Sequence, residues 1–351
     1  MRQLMKGNEA IAEAAIRSGC RGFFGYPITP QNEIPEYMAR RLPEVSGAFV
    51  QAESEVSAIN MVYGAAAAGV RAMTSSSSPG ISLKQEGISY IAASDLPCVI
   101  VNIVRAGPGL GGIQPAQSDY FQAVKGGGHG DYKLIVLAPA TVQEAVDIVY
   151  SSFDLAEKYR MPVMILGDGM LGQMMEPVEL PDMRDLNDIP KKDWCVRGWD
   201  GKGSRRIINS LRIQPDVLEK YTIDIYKKYE VIKEQEAKAE EYMCDDAEII
   251  FAAYGTVSRI CKSAILQLRK MGIKAGLIRP ITLFPFPERV FEKYAASKNV
   301  KKFVTVELSM GQMVEDVKLC VLGKKPVEFY GRTGGNVMTD EDIIAFLQKG
   351  K

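Results

Sequence analysis

Residues Gln51 to Gly69 read QAESEVSAINMVYGAAAAG, and this stretch is the one best suited to chemistry. A short apolar run ending at Gln51 delivers two carboxylates, Glu53 and Glu55, to a segment rich in Ala and Gly. Small residues let a helix pack closely, so an acid at its start can be held in a confined space. Such placement suits a group that keeps one hydrogen bond fixed better than it suits a solvated charge. Arg105 is the second candidate, because it ends the apolar run VIVNIVR directly before a glycine-rich loop. A strand-end guanidinium facing a cleft matches a carboxylate with two parallel hydrogen bonds. An ion pair with an acid at the sheet edge is the equal alternative. His129, inside KGGGHGDY, is the only histidine, so no Ser-His-Asp or Cys-His arrangement exists without it. Its glycine setting reads as a turn in a mobile loop, with lining a site or an interface as the second reading.

Two motif matches do not carry the chemistry that they spell. Gly107 to Gly112 satisfies G-x-G-x-x-G after a strand, yet it runs on through IQPAQSD instead of opening a helix. Pro108 also removes a backbone donor that a phosphate cradle would use. Gly167-Asp168-Gly169 could open a magnesium–diphosphate motif, but the Asn pair that would complete the octahedral ligand set is missing. A strand-ending turn is the better reading, and no metal site is expected on this chain. The six cysteines, Cys20, Cys98, Cys195, Cys244, Cys261 and Cys320, form no C-x-x-C pair. They read as small buried apolar residues and not as ligands of zinc or an iron–sulfur cluster.

The elements that would position these residues follow from the apolar runs. Short runs at 22–26, 48–51, 71–74, 98–104, 134–138 and 163–166 alternate with helix-like segments at 10–18, 56–68, 82–93 and 142–158. Thr29 reads as an N-cap and Pro30 as the first residue of a further helix. Continuous apolar strands separated by helices predict a parallel sheet covered on both faces, an α/β fold. From Pro181 the rhythm breaks into a polar excursion, followed by a long helix with Leu218, Ile225, Ile232 and Ala239 spaced by sevens. That helix reads as a connector lying on its own chain, with a partner-binding helix as the rival. From Ala247 a second α/β unit begins. Over 351 residues the domains are therefore 1–180, a linker excursion and connecting helix at 181–245, and 246–351. Lys+Arg and Asp+Glu both total 43, so no net field draws the molecule to nucleic acid or an anionic membrane. No run approaches the about 18 apolar residues of a membrane span, and the amphipathic N-terminus does not resemble a signal peptide. The expected location is cytoplasmic.

Together GYPITPQNEI (25–34), QAESEVSAINMVYGAAAAG, TSSSSPGISLKQEGISY (74–90) and RAGPGLGGIQPAQSDYFQA (105–123) resemble 2-oxoacid:ferredoxin oxidoreductase α subunits. KGGGHGDYKLIVLAPATVQEA is most like the 2-oxoisovalerate (3-methyl-2-oxobutanoate) branch, and RPITLFPFP and ELSMGQM fit the C-terminal domain. The resemblance spans nearly the whole chain. It implies a thiamine-diphosphate-binding fold, with a pyrimidine-binding domain at 1–180 and a transketolase-C-terminal-like domain at 246–351. Glu55 then falls on the glutamate that hydrogen-bonds the pyrimidine ring, and Glu53 is a supporting acid. Thr29 falls on the threonine facing substrate and cofactor, within the Tyr26, Pro27, Ile28, Thr29 segment, and Arg105 on the arginine that holds the 2-oxoacid carboxylate. Ser76 and Ser77 either line the pocket or cap a turn. The resemblance also assigns Mg²⁺ with the diphosphate to a β subunit and [4Fe–4S] clusters to a ferredoxin-like subunit, beside a γ subunit. The complex would convert a 2-oxoacid and coenzyme A to acyl-CoA and CO₂, reducing ferredoxin, and this chain alone would be inactive. The alternatives are 2-oxoglutarate or pyruvate as substrate, or a non-catalytic scaffold subunit of the same complex.

Overall fold

The computed structural model describes residues 2–199 and 201–349. From the N-terminus run β1 (Gln3–Lys6), α1 (Gly7–Arg17), β2 (Gly22–Gly25), α2 (Glu33–Arg41), β3 (Ala48–Gln51), α3 (Glu55–Ala67), β4 (Ala72–Ser76), α4 (Pro79–Ala93) and β5 (Cys98–Val104). Next come α5 (Tyr120–Val124), β6 (Ile135–Leu137), α6 (Val142–Tyr159), β7 (Pro162–Asp168), α7 (Gly169–Gln173) and β8 (Met175–Val178). The long α8 (Pro215–Glu236) leads to β9 (Ala239–Tyr242), β10 (Ile249–Ala252), α9 (Val257–Lys270), β11 (Ala275–Pro280) and β12 (Thr282–Phe284). The chain closes with α10 (Glu288–Ala295), β13 (Lys302–Glu307), α11 (Met313–Val321), β14 (Val327–Gly331) and α12 (Asp340–Lys349).

Two sheets carry the fold. The larger has the order β12-β6-β7-β5-β4-β2-β3, with its strands parallel except for the edge strand β12, which runs antiparallel to β6. Every residue of β5 and β7 is buried, as expected for central strands covered on both faces. One apolar layer, from α1, α2 and α6, includes Ile11, Ile16, Met38 and Phe153; the layer under α3 and α4 includes Ile59, Val62, Ile88 and Ile91. The second sheet has the order β14-β13-β10-β11-β9, parallel apart from β9. Helices on both sides of parallel strands make this an α/β fold.

The sheets exchange edges. β12 comes from the C-terminal half and pairs with β6 of the first sheet, while β9, which precedes β10, pairs with β11 of the second. Arg279 links the halves further, donating to Glu144 at 2.9 Å and to Glu240 at 2.7 Å.

Two expected details differ. Thr29 does not cap a helix: the Thr29–Pro30 peptide is cis, and Gln31 N–H closes a turn onto the Ile28 carbonyl at 3.1 Å. The helix begins only at Glu33, which leaves 26–32 as a loop at the carboxyl end of β2. Ala239 is not on the long helix either, since that helix ends at Glu236 and Ala239 pairs with Pro280 in the second sheet. Of the positions spaced by sevens, Ile225 and Ile232 are buried against the first unit, whereas Leu218 is 46% exposed. Tyr229 joins them, its hydroxyl accepting from Lys133 N–H at 3.1 Å. The apolar stripe of α8 thus packs on its own chain. Among the described residues no helix is long and apolar enough to cross a membrane.

Candidate functional site

In parallel α/β sheets, ligands gather at the carboxyl ends of the strands, because the loops there diverge. The residues on which the resemblance places cofactor and substrate contacts lie at that end. Tyr26 to Thr29 follow β2, Glu55 follows β3, Ser76 and Ser77 close β4, and Arg105 follows β5.

Glu55 opens α3. Ser54, in extended conformation, caps the helix by accepting from Ser57 N–H at 3.2 Å. The cap fixes where the helix starts, and so fixes Glu55 at its first position. The side chain is only 6% exposed. It lies against α4 at Gly80, where an added Cβ would stand 2.1 Å from Ser76 Oγ and 2.7 Å from Glu55 Oε1. Only a residue without a side chain leaves room for both. We therefore expect Gly80→Ala to displace the carboxylate and, if the carboxylate takes part in a reaction, to lower its turnover by about 10²-fold, the usual cost of about 1 Å of misplacement. Steady-state kinetics read this, and an unchanged circular dichroism spectrum would separate it from unfolding. Glu53, by contrast, is exposed and accepts from Ser57 Oγ, which holds its carboxyl below the usual range.

Arg105 is buried, 8% exposed, and among the described residues no acid pairs with it. Its Nη1 donates to the Thr29 carbonyl at 3.0 Å and Nη2 to the Leu110 carbonyl at 3.2 Å, while Nε has no partner. A buried cation with only two neutral acceptors has capacity left for an anion. The sheet-edge ion pair weighed from the sequence is absent. The glycine loop does not open a helix; it curls over Arg105, with Gly112 N–H donating to the Ala106 carbonyl at 2.8 Å. Gly111 sits at φ 58°, where an added Cβ would strike the Ala106 carbonyl oxygen at 2.0 Å.

At the carboxyl end of β4 and on the loops after β2 and β4 several buried polar atoms lack partners among the described residues: Ser76 Oγ, Ser77 Oγ, Gln31 Nε2 and Asn32 Oδ1. Buried polar atoms are rarely left unpaired, so their clustering marks surfaces that a ligand would satisfy. Thr29 and Asn32 also border a cleft of about 540 Å³ that includes Glu33, Gln114, Met170 and Gln173. Tyr26 and Pro27 are exposed beside it, and Ile28 is half-buried.

The sequence did not reveal the bracing residues. Asn102 accepts from Ser78 N–H at 3.1 Å and donates to Asp119 at 2.9 Å; burial pushes the Asp119 carboxyl up. Gln31, fully buried, accepts from Ser75 Oγ. Lys84 is also fully buried beneath this turn, donating to Thr74 Oγ1 at 2.6 Å and to the Ser75 carbonyl at 3.1 Å. Its signal was present in the spacing, since Gly80, Lys84, Gly87 and Ile91 fall on one helical face.

The remaining candidates lie apart from these contacts. His129 is exposed, its ring edge-on to Tyr90 at 6.2 Å between centroids. Asp168 ends β7, caps α7 by accepting from Met170 and Leu171 N–H groups, and accepts from Thr256 Oγ1 of the second unit. Those bonds make it a junction residue. Among the described residues no three His, Cys, Asp or Glu side chains converge to hold a metal.

Residues 13–243 match the thiamine-diphosphate-binding model of pyruvate flavodoxin/ferredoxin oxidoreductases, and residues 247–343 match core domain II of pyruvate:ferredoxin oxidoreductases. The chain belongs to the 2-oxoacid:ferredoxin oxidoreductase family. Its relatives include ketoisovalerate oxidoreductase subunit VorB of Methanothermobacter marburgensis, 51% identical over 99% of this chain and 97% of that protein. 2-Oxoglutarate synthase subunit KorA of Methanocaldococcus jannaschii is 36% identical over 97% of this chain and 98% of that one. A solved 2-oxoglutarate:ferredoxin oxidoreductase from Magnetococcus marinus superposes with a TM-score of 0.83 at 26% identity over 99% of this chain. This chain spans 65% of that longer one. A split-gene transketolase shares the fold at a TM-score of 0.58 and 15% identity over 98% of this chain and 97% of that one. The family's fold, a thiamine-diphosphate-binding unit with a second α/β unit, is the fold observed. The chain is an oxidoreductase subunit that works as a member of a complex.

Proposed function

We propose that this chain is the α-type subunit of a 2-oxoisovalerate:ferredoxin oxidoreductase, acting on 2-oxoisovalerate and related branched-chain 2-oxoacids. The observation that carries the reading is the 51% identity to a ketoisovalerate oxidoreductase subunit over 99% of the chain, against 36% to a 2-oxoglutarate synthase subunit. In the proposed reaction a 2-oxoacid anion, coenzyme A and two oxidised ferredoxins give acyl-CoA, CO₂, one proton and two reduced ferredoxins. The two electrons left when the carbon–carbon bond breaks go one each to ferredoxin, and the thioester sulfur takes the acyl group.

Thiamine diphosphate supplies the carbon nucleophile and the electron sink for this reaction. The residues present fit its pyrimidine end. Glu55 would hold and move a proton at the ring nitrogen, and Gly80 leaves the carboxylate its room beside Ser76. The unpartnered hydroxyls of Ser76 and Ser77 and the Gln31 amide offer the remaining hydrogen bonds. Arg105 binds the substrate carboxylate, and Thr29, whose carbonyl already anchors Arg105, faces the reacting carbon. Tyr26, Pro27 and Ile28 form the rim. In this reading Mg²⁺ with the diphosphate, and the [4Fe–4S] clusters, belong to partner subunits: a β chain, a ferredoxin-like chain and a γ chain.

The solved 2-oxoglutarate enzyme, with its high fold similarity, favours 2-oxoglutarate as the second reading. A panel of 2-oxoacids given to the co-purified complex, with coenzyme A, thiamine diphosphate and a viologen acceptor, decides between them. Preference for 2-oxoisovalerate and its branched relatives is the expected result. Preference for 2-oxoglutarate or pyruvate overturns the substrate assignment, and no turnover from a fully loaded complex returns the chain to a scaffold.

A further inference from the structure

A lysine with no exposed surface is rare, because its ammonium loses its hydration on burial. Lys84 is such a residue, and so far it has been given only the bracing of the turn after β4. Its place is set by two glycines on the same helix. An added Cβ at Gly80 would meet Glu55, and one at Gly87 would meet Ile59 at 2.4 Å. Helices α3 and α4 are therefore in close contact one turn before and one turn after Lys84. The amine projects into that seam and reaches the end of β4. There Thr74 Oγ1, which itself donates to the Phe24 carbonyl of β2 at 2.6 Å, accepts one of its hydrogens. The Ser75 carbonyl accepts a second. An ammonium has three donors, so one remains without a partner.

The groups facing Lys84 are otherwise neutral. β4 presents a hydroxyl and a carbonyl, and β2 contributes a carbonyl through Thr74. Among the described residues Glu55, from α3, is the one ionisable group whose charge reaches it. We propose that Lys84 is a positioning residue for this enzyme, its buried ammonium holding the Glu55 carboxylate in place through charge in the dry seam between α3 and α4. The inference rests on Glu55 being the carboxylate that faces the cofactor ring. In a water-excluded space an opposite charge is felt beyond direct contact, and among the described residues no cation, Lys84 included, makes a direct ion pair with the Glu55 carboxylate.

The amine must be charged to act, and burial works against that. Desolvation lowers the Lys84 amine from 10.5 to about 7, with attraction to Glu55 opposing the fall. The working form is therefore lost as pH rises through about 7.

The test uses the full chain with its lysines carbon-13-labelled at Cε, and the assembled complex for turnover. The resonance missing from Lys84→Met should titrate near pH 7 and move to lower pH by about half a unit or more in Glu55→Gln, where the attraction is gone. Turnover of the unaltered complex should fall as pH rises through that midpoint, and Lys84→Met should show low turnover without that limb. A midpoint that Glu55→Gln leaves in place overturns the inference, as does the same limb surviving in Lys84→Met. The two readings fail separately. If Glu55→Gln keeps full turnover while still moving the Lys84 midpoint, the role given to Glu55 falls. If Glu55→Gln abolishes turnover and the midpoint stays, only the role given to Lys84 falls.

Discussion

Replacing Glu55 with glutamine in the assembled complex should reduce turnover by about 10²–10⁴-fold, the usual range for a positioned group that transfers a proton. The change is nearly isosteric. Glutamine fills the space between Gly80 and Ser76, so the seam between α3 and α4 should close as before. The Ser54 cap does not involve the carboxylate, so α3 should start at the same residue. What is lost is the ability to exchange a proton at one fixed point. Turnover with viologen, beside gel filtration of the complex and its cofactor content, measures the effect. If glutamine keeps turnover within about tenfold of the original, Glu55 is not the working carboxylate, and a scaffolding role for the chain returns.

The second large effect belongs to Arg105. Truncating a buried group that pairs with a charge typically costs about 2–5 kcal/mol, which is about 10²–10³-fold in affinity near the middle of that range. In Arg105→Met that loss should appear mainly as a higher KM for the 2-oxoacid, because the carboxylate is held before and during reaction alike. The guanidinium also joins the Thr29 and Leu110 carbonyls, so part of the loss reflects a looser loop. Arg105→Lys separates the contributions, since lysine keeps a charge but cannot form the planar pair of hydrogen bonds. Its KM should fall between those of the original and the methionine variant. An unchanged KM in Arg105→Met would move the carboxylate site elsewhere.

Much of the fold was legible because buried parallel strands leave a plain signal. Cys98–Val104 is apolar in the sequence apart from Asn102, and it is the strand observed, buried at every position. Strands whose partners come from far away left little trace. β12 has only three residues, and its pairing with β6 depends on a register that no local pattern carries. Ala239 continued a spacing by sevens with Ile232, but a backbone ladder with β11 took it out of the helix. Within the site, acid and arginine stood out because they end apolar runs. Lys84 did not, since a charged residue inside a helix reads as surface until the face it occupies is counted against its glycines. The Thr29 turn was missed for a related reason: a Thr-Pro pair looks the same before a helix as within a loop.

The exchanged edge strands bear on how such a chain can be divided. The two family models meet between residues 243 and 247, which invites a cut there. A cut at that point strands β9 on the first piece and β12 on the second, each parted from the sheet it completes. Each fragment would then carry an unpaired edge, a row of free backbone groups that invites association with whatever strand it meets. A gene broken here would make two polypeptides, each needing the other to complete its sheet.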